Sequence, residues 1–145
     1  MNTHQEIPVE VNTWNNDTHK LTRAYVDVDV NIAEIVRVFN ARSHIMTLFS
    51  CEETRTKDAY VVFNFLSGDA AYYMRWFGVF AEQLAVVRTK NLSLRYTFEL
   101  RWDAEMRCDI PDAVFRCPAR QIKKWEKYLV DVLAVCDEKM CCICL

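Results

Sequence analysis

Glycine is nearly missing from this chain, at two residues in 145, and proline appears three times. Loops that cradle a phosphate or a dinucleotide need glycine where the backbone approaches the ligand, so those fingerprints are excluded. Flexible glycine-rich linkers lack their material too. A surplus of positive charge is also missing: the net charge is −2, and no overall field draws in a polyanion. No apolar run approaches the roughly 18 residues of a membrane-spanning helix. The opening residues, MNTHQEIPVEVNTW, show no basic segment followed by an apolar one, so no signal peptide is expected. Without an export signal, the odd count of seven cysteines reads as reduced thiols, and the expected location is the cytoplasm.

What the chain does have is apolar material. Hydrophobic residues make up 52% and aromatics 12%, against 26% charged. That balance opposes disorder. A chain of this length fits one domain and buries about two-thirds of its unfolded surface. No repeat or boundary divides residues 1–145. Residues 1–20 read as an edge strand or an arm, and residues 137–145 as a flexible, cysteine-rich tail.

Residues 21–30 alternate: Val26, Val28 and Val30 share one strand face, with Asp27 and Asp29 on the other. Asn31 and Glu34 have the spacing of a capping box, which starts a helix with the stripe Ile32, Ile35, Val36 and Phe39. Strands follow at 44–50 and 59–66. A helix is predicted from Ala70 to about Arg88, on the stripe Tyr73, Met74, Phe77, Phe80, Ala81 and Leu84. Within it Gly78 reads as a point of close packing. Residues 92–102 alternate from Leu92 to Trp102, the pattern of a half-buried antiparallel strand. A further strand is expected near 105–110. Pro118 suits the first turn of a last helix with the stripe Ile122, Trp125, Leu129, Val132, Leu133 and Cys136. The predicted class is α+β: a ferredoxin-like β-α-β-β-α-β core with an added C-terminal strand and helix.

One segment stands out for chemistry, Thr47, Ser50, Cys51 and Glu52. A polar cluster at a strand end is rigidly held yet meets solvent. Asp27 and Asp29 approach it if their strands pair. A nucleophilic thiol needs a nearby base or cation. His44 lies at the other end of the same strand, about 23 Å away at about 3.3 Å per residue. The adjacent Glu52 and Glu53 raise the thiol pKa. A structural cysteine is therefore the plainer reading, and no cofactor or metal is expected. Arg95 and Arg101 alternate with Tyr96, Phe98 and Trp102, so the aromatics point away from the basic face, and nucleic acid is not the expected partner. Cys141 and Cys144 have knuckle spacing without a second pair to complete a zinc site. The last four residues fit a prenylation box. Free thiols on a frayed tail are the plain alternative. Tyr72, Arg75 and Trp76 on the second long helix span more than one stripe. An outward Tyr72 or Trp76 beside Arg75 would suit a protein interface.

The pieces VDVDVNIAEIV, Thr47-x-x-Ser50-Cys51-Glu52 and Tyr60-Val61-Val62-Phe63 together resemble small uncharacterised bacterial and phage proteins. Those carry an acidic strand, a short helix, a T-x-x-S-C-[EQ] strand and a Y-[IV]-x-F strand. The resemblance covers about residues 26–65 and implies a mobile-element or phage origin.

The expected function is a non-catalytic protein-binding domain, a phage-type regulator or inhibitor that docks on a host protein or on a second copy of itself. The alternative is a small enzyme or nucleotide-binding domain that uses the Cys51 strand end and the acids near it.

Overall fold

A computed structural model describes residues 5–15, 17–42, 44–51, 58–65, 70–102 and 111–143. The first strand, β1 (Glu6–Asn15), and the second, β2 (Lys20–Asp29), form an antiparallel hairpin. Its register runs unbroken from Glu6 opposite Asp29 to Asn15 opposite Lys20. The turn is built by side-chain chemistry. The Asn15 Oδ1 accepts the N–H of Asp17 at 2.9 Å and of Thr18 at 3.1 Å, and His19 takes a left-handed φ of 53°. Asparagine mimics a backbone turn in this way.

Helix α1 (Ala33–Asn40) leads to β3 (Ile45–Cys51), β4 (Asp58–Phe65), helix α2 (Ala70–Lys90), β5 (Thr97–Arg101) and β6 (Asp112–Pro118). A 3₁₀ turn (Ala119–Gln121) then opens helix α3 (Ile122–Ile143). The four later strands make an antiparallel sheet in the order β3-β4-β6-β5. One face of this sheet carries Val61, Phe63 and Phe65 from β4 and Phe115 and Cys117 from β6. Against it lie Trp76, Phe77 and Phe80 of α2 and Trp125, Leu129 and Leu133 of α3, in one continuous core.

The α+β class holds, with three helices and two antiparallel sheets among the described residues. The ferredoxin-like strand order is not confirmed. Among the described residues β2 pairs with β1 alone, because the N-terminal segment forms a ten-residue strand and takes its ladder. The strand expected near 105–110 lies outside the described residues; the one observed is Asp112–Pro118. It is a central strand with Ala113, Val114 and Phe115 all buried, so it has no alternation to read. The 92–102 strand shortens to Thr97–Arg101. Continuing its ladder with β6 would set Arg95 opposite Pro118, which has no N–H to give. Side chains of the 3₁₀ turn and of α3 serve that backbone instead. The Arg95 N–H donates to the Gln121 Oε1 at 2.8 Å, and the Trp125 Nε1 donates to the Arg95 carbonyl at 3.0 Å. Trp102, expected in the core, lies past the strand end and is exposed.

Three helix details also differ. Helix α1 starts at Ala33, with Ile32 at the N-cap position and no side-chain cap, and Glu34 pairs with Arg37 at 3.2 Å. The buried stripe of α2 is Tyr73, Trp76, Phe77, Phe80 and Leu84, with Met74 outside it. Helix α3 continues through the segment read as a tail, since Met140 extends the stripe of Leu133 and Cys136 and is buried.

Gly78 is not a close-packing point. A β-carbon built there meets no atom within 4 Å. Its cost is then the ordinary one of glycine in an exposed helix interior. Gly78→Ala should stabilise the fold by about 1 kcal/mol, read as a higher urea midpoint at unchanged slope.

Candidate docking surface

The hairpin is asymmetric. β1 turns Val9, Val11 and Asn12 inward, where it packs on α1 and β3. A buried polar knot locks it there. The Asn12 Nδ2 donates to the carbonyls of Asn40 (2.9 Å), Arg42 (2.7 Å) and Ile45 (2.8 Å). The Asn12 N–H donates to the Asn40 Oδ1 at 2.9 Å, and the Asn40 Nδ2 donates to the Thr47 Oγ1 at 2.9 Å. One residue of β1 thus ties together the hairpin, the end of α1 and the start of β3.

β2 is the outer member. From Lys20 to Asp27 only Thr22 is even half-buried. Its apolar side chains lie on both faces: Leu21 is 46% exposed, Tyr25 72% and Val26 42%. The alternation in the sequence places Val26 inward with Val28, but only Val28 is buried. The core beneath the hairpin ends at β1, so Val26 sits beyond it although its cross-strand partner Val9 is buried. Trp14, opposite Leu21, continues the apolar surface around the hairpin tip.

Between the free side of β2 and β3 runs an open groove of 280 Å³, lined by Val26, Asp27, Val28, Thr47, Leu48, Ser50 and Tyr60. Three residues singled out from the sequence, Asp27, Thr47 and Ser50, meet here. Cys51 is the next residue along β3, half-buried and opposite Tyr60. Asp29 closes β2, also half-buried. Glu52 lies outside the described residues. The α2 trio is elsewhere, as none of its residues lines the groove. Of that trio Arg75 is exposed and Tyr72 half-buried, while Trp76 is fully buried, stacked on Phe80 at 5.1 Å. An interface role for Trp76 is thereby corrected: it belongs to the stripe at Tyr73, Phe77 and Phe80. Leu21 and Tyr25 were not singled out as site residues from the sequence, and Leu48 and Tyr60 entered only as members of the quoted strand motifs. The signal for the first two was present in LTRAYVDVDV, where apolar residues occupy both parities, unlike a strand with one wet face.

None of the described residues that line the groove is cationic. Burial, with Asp58 adding to it, pushes the Cys117 thiol up to about 12, and burial with Asp137 does the same for Cys136. Among the described residues no group of three His, Cys, Asp or Glu side chains is placed to hold a metal ion. Cys108 and Cys144 lie outside the described residues. No helix among the described residues is long and apolar enough to cross a membrane.

His44 sits at the far end of β3, beside the Phe65 and Tyr73 rings, which stack on each other at 3.8 Å. It is stacked on Phe65 at 5.5 Å and Tyr73 at 6.5 Å, with its Nε2 buried and unpartnered. Burial pushes its pKa below the ordinary 6.5; Asp137 opposes this and Arg42 adds to it. The folded state therefore favours neutral imidazole. Its contribution is complete above pH 6.5 and is lost as pH falls from there through the lowered folded value. His44→Phe keeps the ring stack and removes the titration. Urea unfolding at stepped pH should show a shallower acid decline for the variant in that window, and an unchanged decline would assign the acid sensitivity elsewhere.

No family model, curated protein or solved structure matches the chain.

Proposed function

We propose that the chain is a non-catalytic protein-binding domain that docks through the free edge of β2, with a partner strand extending the sheet. The observation that carries this is the exposure of β2. Ten residues long and unbroken in register, it exposes Leu21, Tyr25 and Val26. Monomeric proteins blunt such edges with charged side chains, proline, bulges or very short strands, and β2 has the first of these at Lys20, Arg23 and Asp27. β2 has no proline, and its ladder with β1 has no bulge. Backbone groups along such an edge supply affinity in strand addition, and alternate side chains supply specificity. Asp27, Thr47 and Ser50 then serve as polar rim rather than as catalysts. A phage-type regulator or inhibitor that captures a host protein in this way fits the resemblance over residues 26–65.

A photo-crosslinking amino acid at position 25, expressed in the native host, tests the reading. One dominant protein adduct is expected, and Val26→Lys on the same edge should abolish it. Adducts that are absent, or indifferent to Val26→Lys, would sink it.

A further inference from the structure

Resting on that reading, we infer that the strand added to β2 is β2 of a second copy of this chain, paired antiparallel about a two-fold axis at Tyr25. The argument begins with charge. The first half of β2 carries Lys20 and Arg23, and the second half carries Asp27 and Asp29. Antiparallel pairing of two copies brings basic half against acidic half twice over. Parallel pairing would align like with like.

Symmetry then restricts the register. A two-fold relating antiparallel neighbours in one sheet runs perpendicular to it and leaves each face on its own side. Directly opposite residues share a face, so their numbers must have an even sum, and the axis passes through a residue rather than between two. An axis at Arg23 sets two guanidiniums face to face. An axis at Ala24 sets Leu21 against Asp27. An axis at Val26 sets Tyr25 against Asp27 and brings Val28, which is buried, into the second pair from the axis, whereas an axis at Tyr25 leaves it to the third, opposite Thr22. An axis at Tyr25 pairs Arg23 with Asp27 and Ala24 with Val26 on both sides, and all four are exposed. The two Tyr25 rings meet on the axis. Arg23 already lies 3.4 Å from Glu10. A guanidinium has five N–H donors, enough for Glu10 and for the incoming carboxylate together. The product is one continuous sheet, β1-β2-β2-β1, that leaves neither β2 edge free.

Sedimentation of the full chain under reducing conditions, with reciprocal charge reversals, tests this. The wild type is expected to be a dimer. Arg23→Asp and Asp27→Arg each set like charges opposite each other on both sides of the axis, and each should weaken dimerisation roughly tenfold. The double reversal restores the pairing and should return affinity to within about threefold. Tyr25→Cys lies on the axis and should form a disulfide with its own symmetry mate on mild oxidation, identified as a position-25 to position-25 peptide by mass spectrometry. Circular dichroism of each variant separates misfolding from lost association. A wild type that is monomeric to about 0.1 mM would overturn self-pairing, as would a dimer indifferent to the reversals and lacking the position-25 disulfide. Neither result touches the broader docking reading, which the host crosslink decides through an adduct to a different protein.

Discussion

Asn12→Ala should cost the fold about 3 kcal/mol, well above an ordinary surface substitution. The side-chain amide has two N–H groups, and three carbonyls, those of Asn40, Arg42 and Ile45, lie within 2.9 Å of its nitrogen. Truncation removes this donor in a site where Asn12 and Asn40 are both buried; the Arg42 carbonyl keeps the Ile45 N–H at 3.1 Å and the Asn40 carbonyl a long contact from the Arg23 Nη2 at 3.5 Å. Each buried group left unpaired costs about 1–3 kcal/mol. The carbonyls sit at the end of α1 and in the link to β3, so local relaxation can rehydrate some of them, and the lower part of the summed range is expected. Asn12→Asp should be worse at neutral pH, at about 5 kcal/mol, because it aims a carboxylate at three carbonyl oxygens. Urea unfolding of the three proteins should give the order wild type, Asn12→Ala, Asn12→Asp. Equal stability of the two variants would show that the knot acts through shape and not through donation. The knot also orients the proposed docking strand. Amide hydrogen exchange in Asn12→Ala should rise first across β1 and β2, before the four-stranded sheet opens.

Elements with one wet face were legible from sequence. The apolar stripe of α3 runs Ile122, Trp125, Leu129, Val132, Leu133 and Cys136, and all six are buried. Periodicity finds such stripes because one side of the helix meets water. Two kinds of element escaped it. β6 is buried through Ala113, Val114 and Phe115 and so does not alternate; its ends at Pro111 and Pro118 were the available signal. β2 fails in the opposite sense. Its pattern asks for a core beneath Val26 that β1 has already claimed, and pairing partners are not written in a strand's own residues. The candidate site was half legible for the same reason. Thr47 and Ser50 were found as polar residues at a strand end, and Asp27 by its alternation, but their meeting depends on how the hairpin lies against β3. The Asn12 knot was invisible, since a lone asparagine in a polar N-terminal segment reads as surface until its acceptors, 28 to 33 residues away, come into place.

Phe63→Ala should be the most damaging single truncation in the core, at about 4 kcal/mol. Phe63 lies on β4, the inner strand beside β3, and is fully buried. Its ring is 4.6 Å from Phe39 of α1, and 6.1, 6.3 and 5.9 Å from Trp76, Phe77 and Phe80 of α2. Removing it opens a cavity bounded by a sheet and two helices, and rings held by three elements cannot all collapse into the space. Trp76→Phe makes the contrast. Trp76 is equally buried, but its Nε1 has no hydrogen-bond partner. Replacing it loses ring area and at the same time relieves an unpaired buried donor, so the net loss should stay below about 1.5 kcal/mol. The two substitutions touch, so their effects should not add, and a double variant less unstable than the sum is expected. Urea midpoints for the two singles and the double measure all three quantities. If Trp76→Phe proved as costly as Phe63→Ala, the indole N–H would have to be engaged, and the packing of α2 on the sheet would need a different account. Trp76→Phe should also leave association through β2 unchanged, because the tryptophan lies beneath α2 and contributes nothing to the groove.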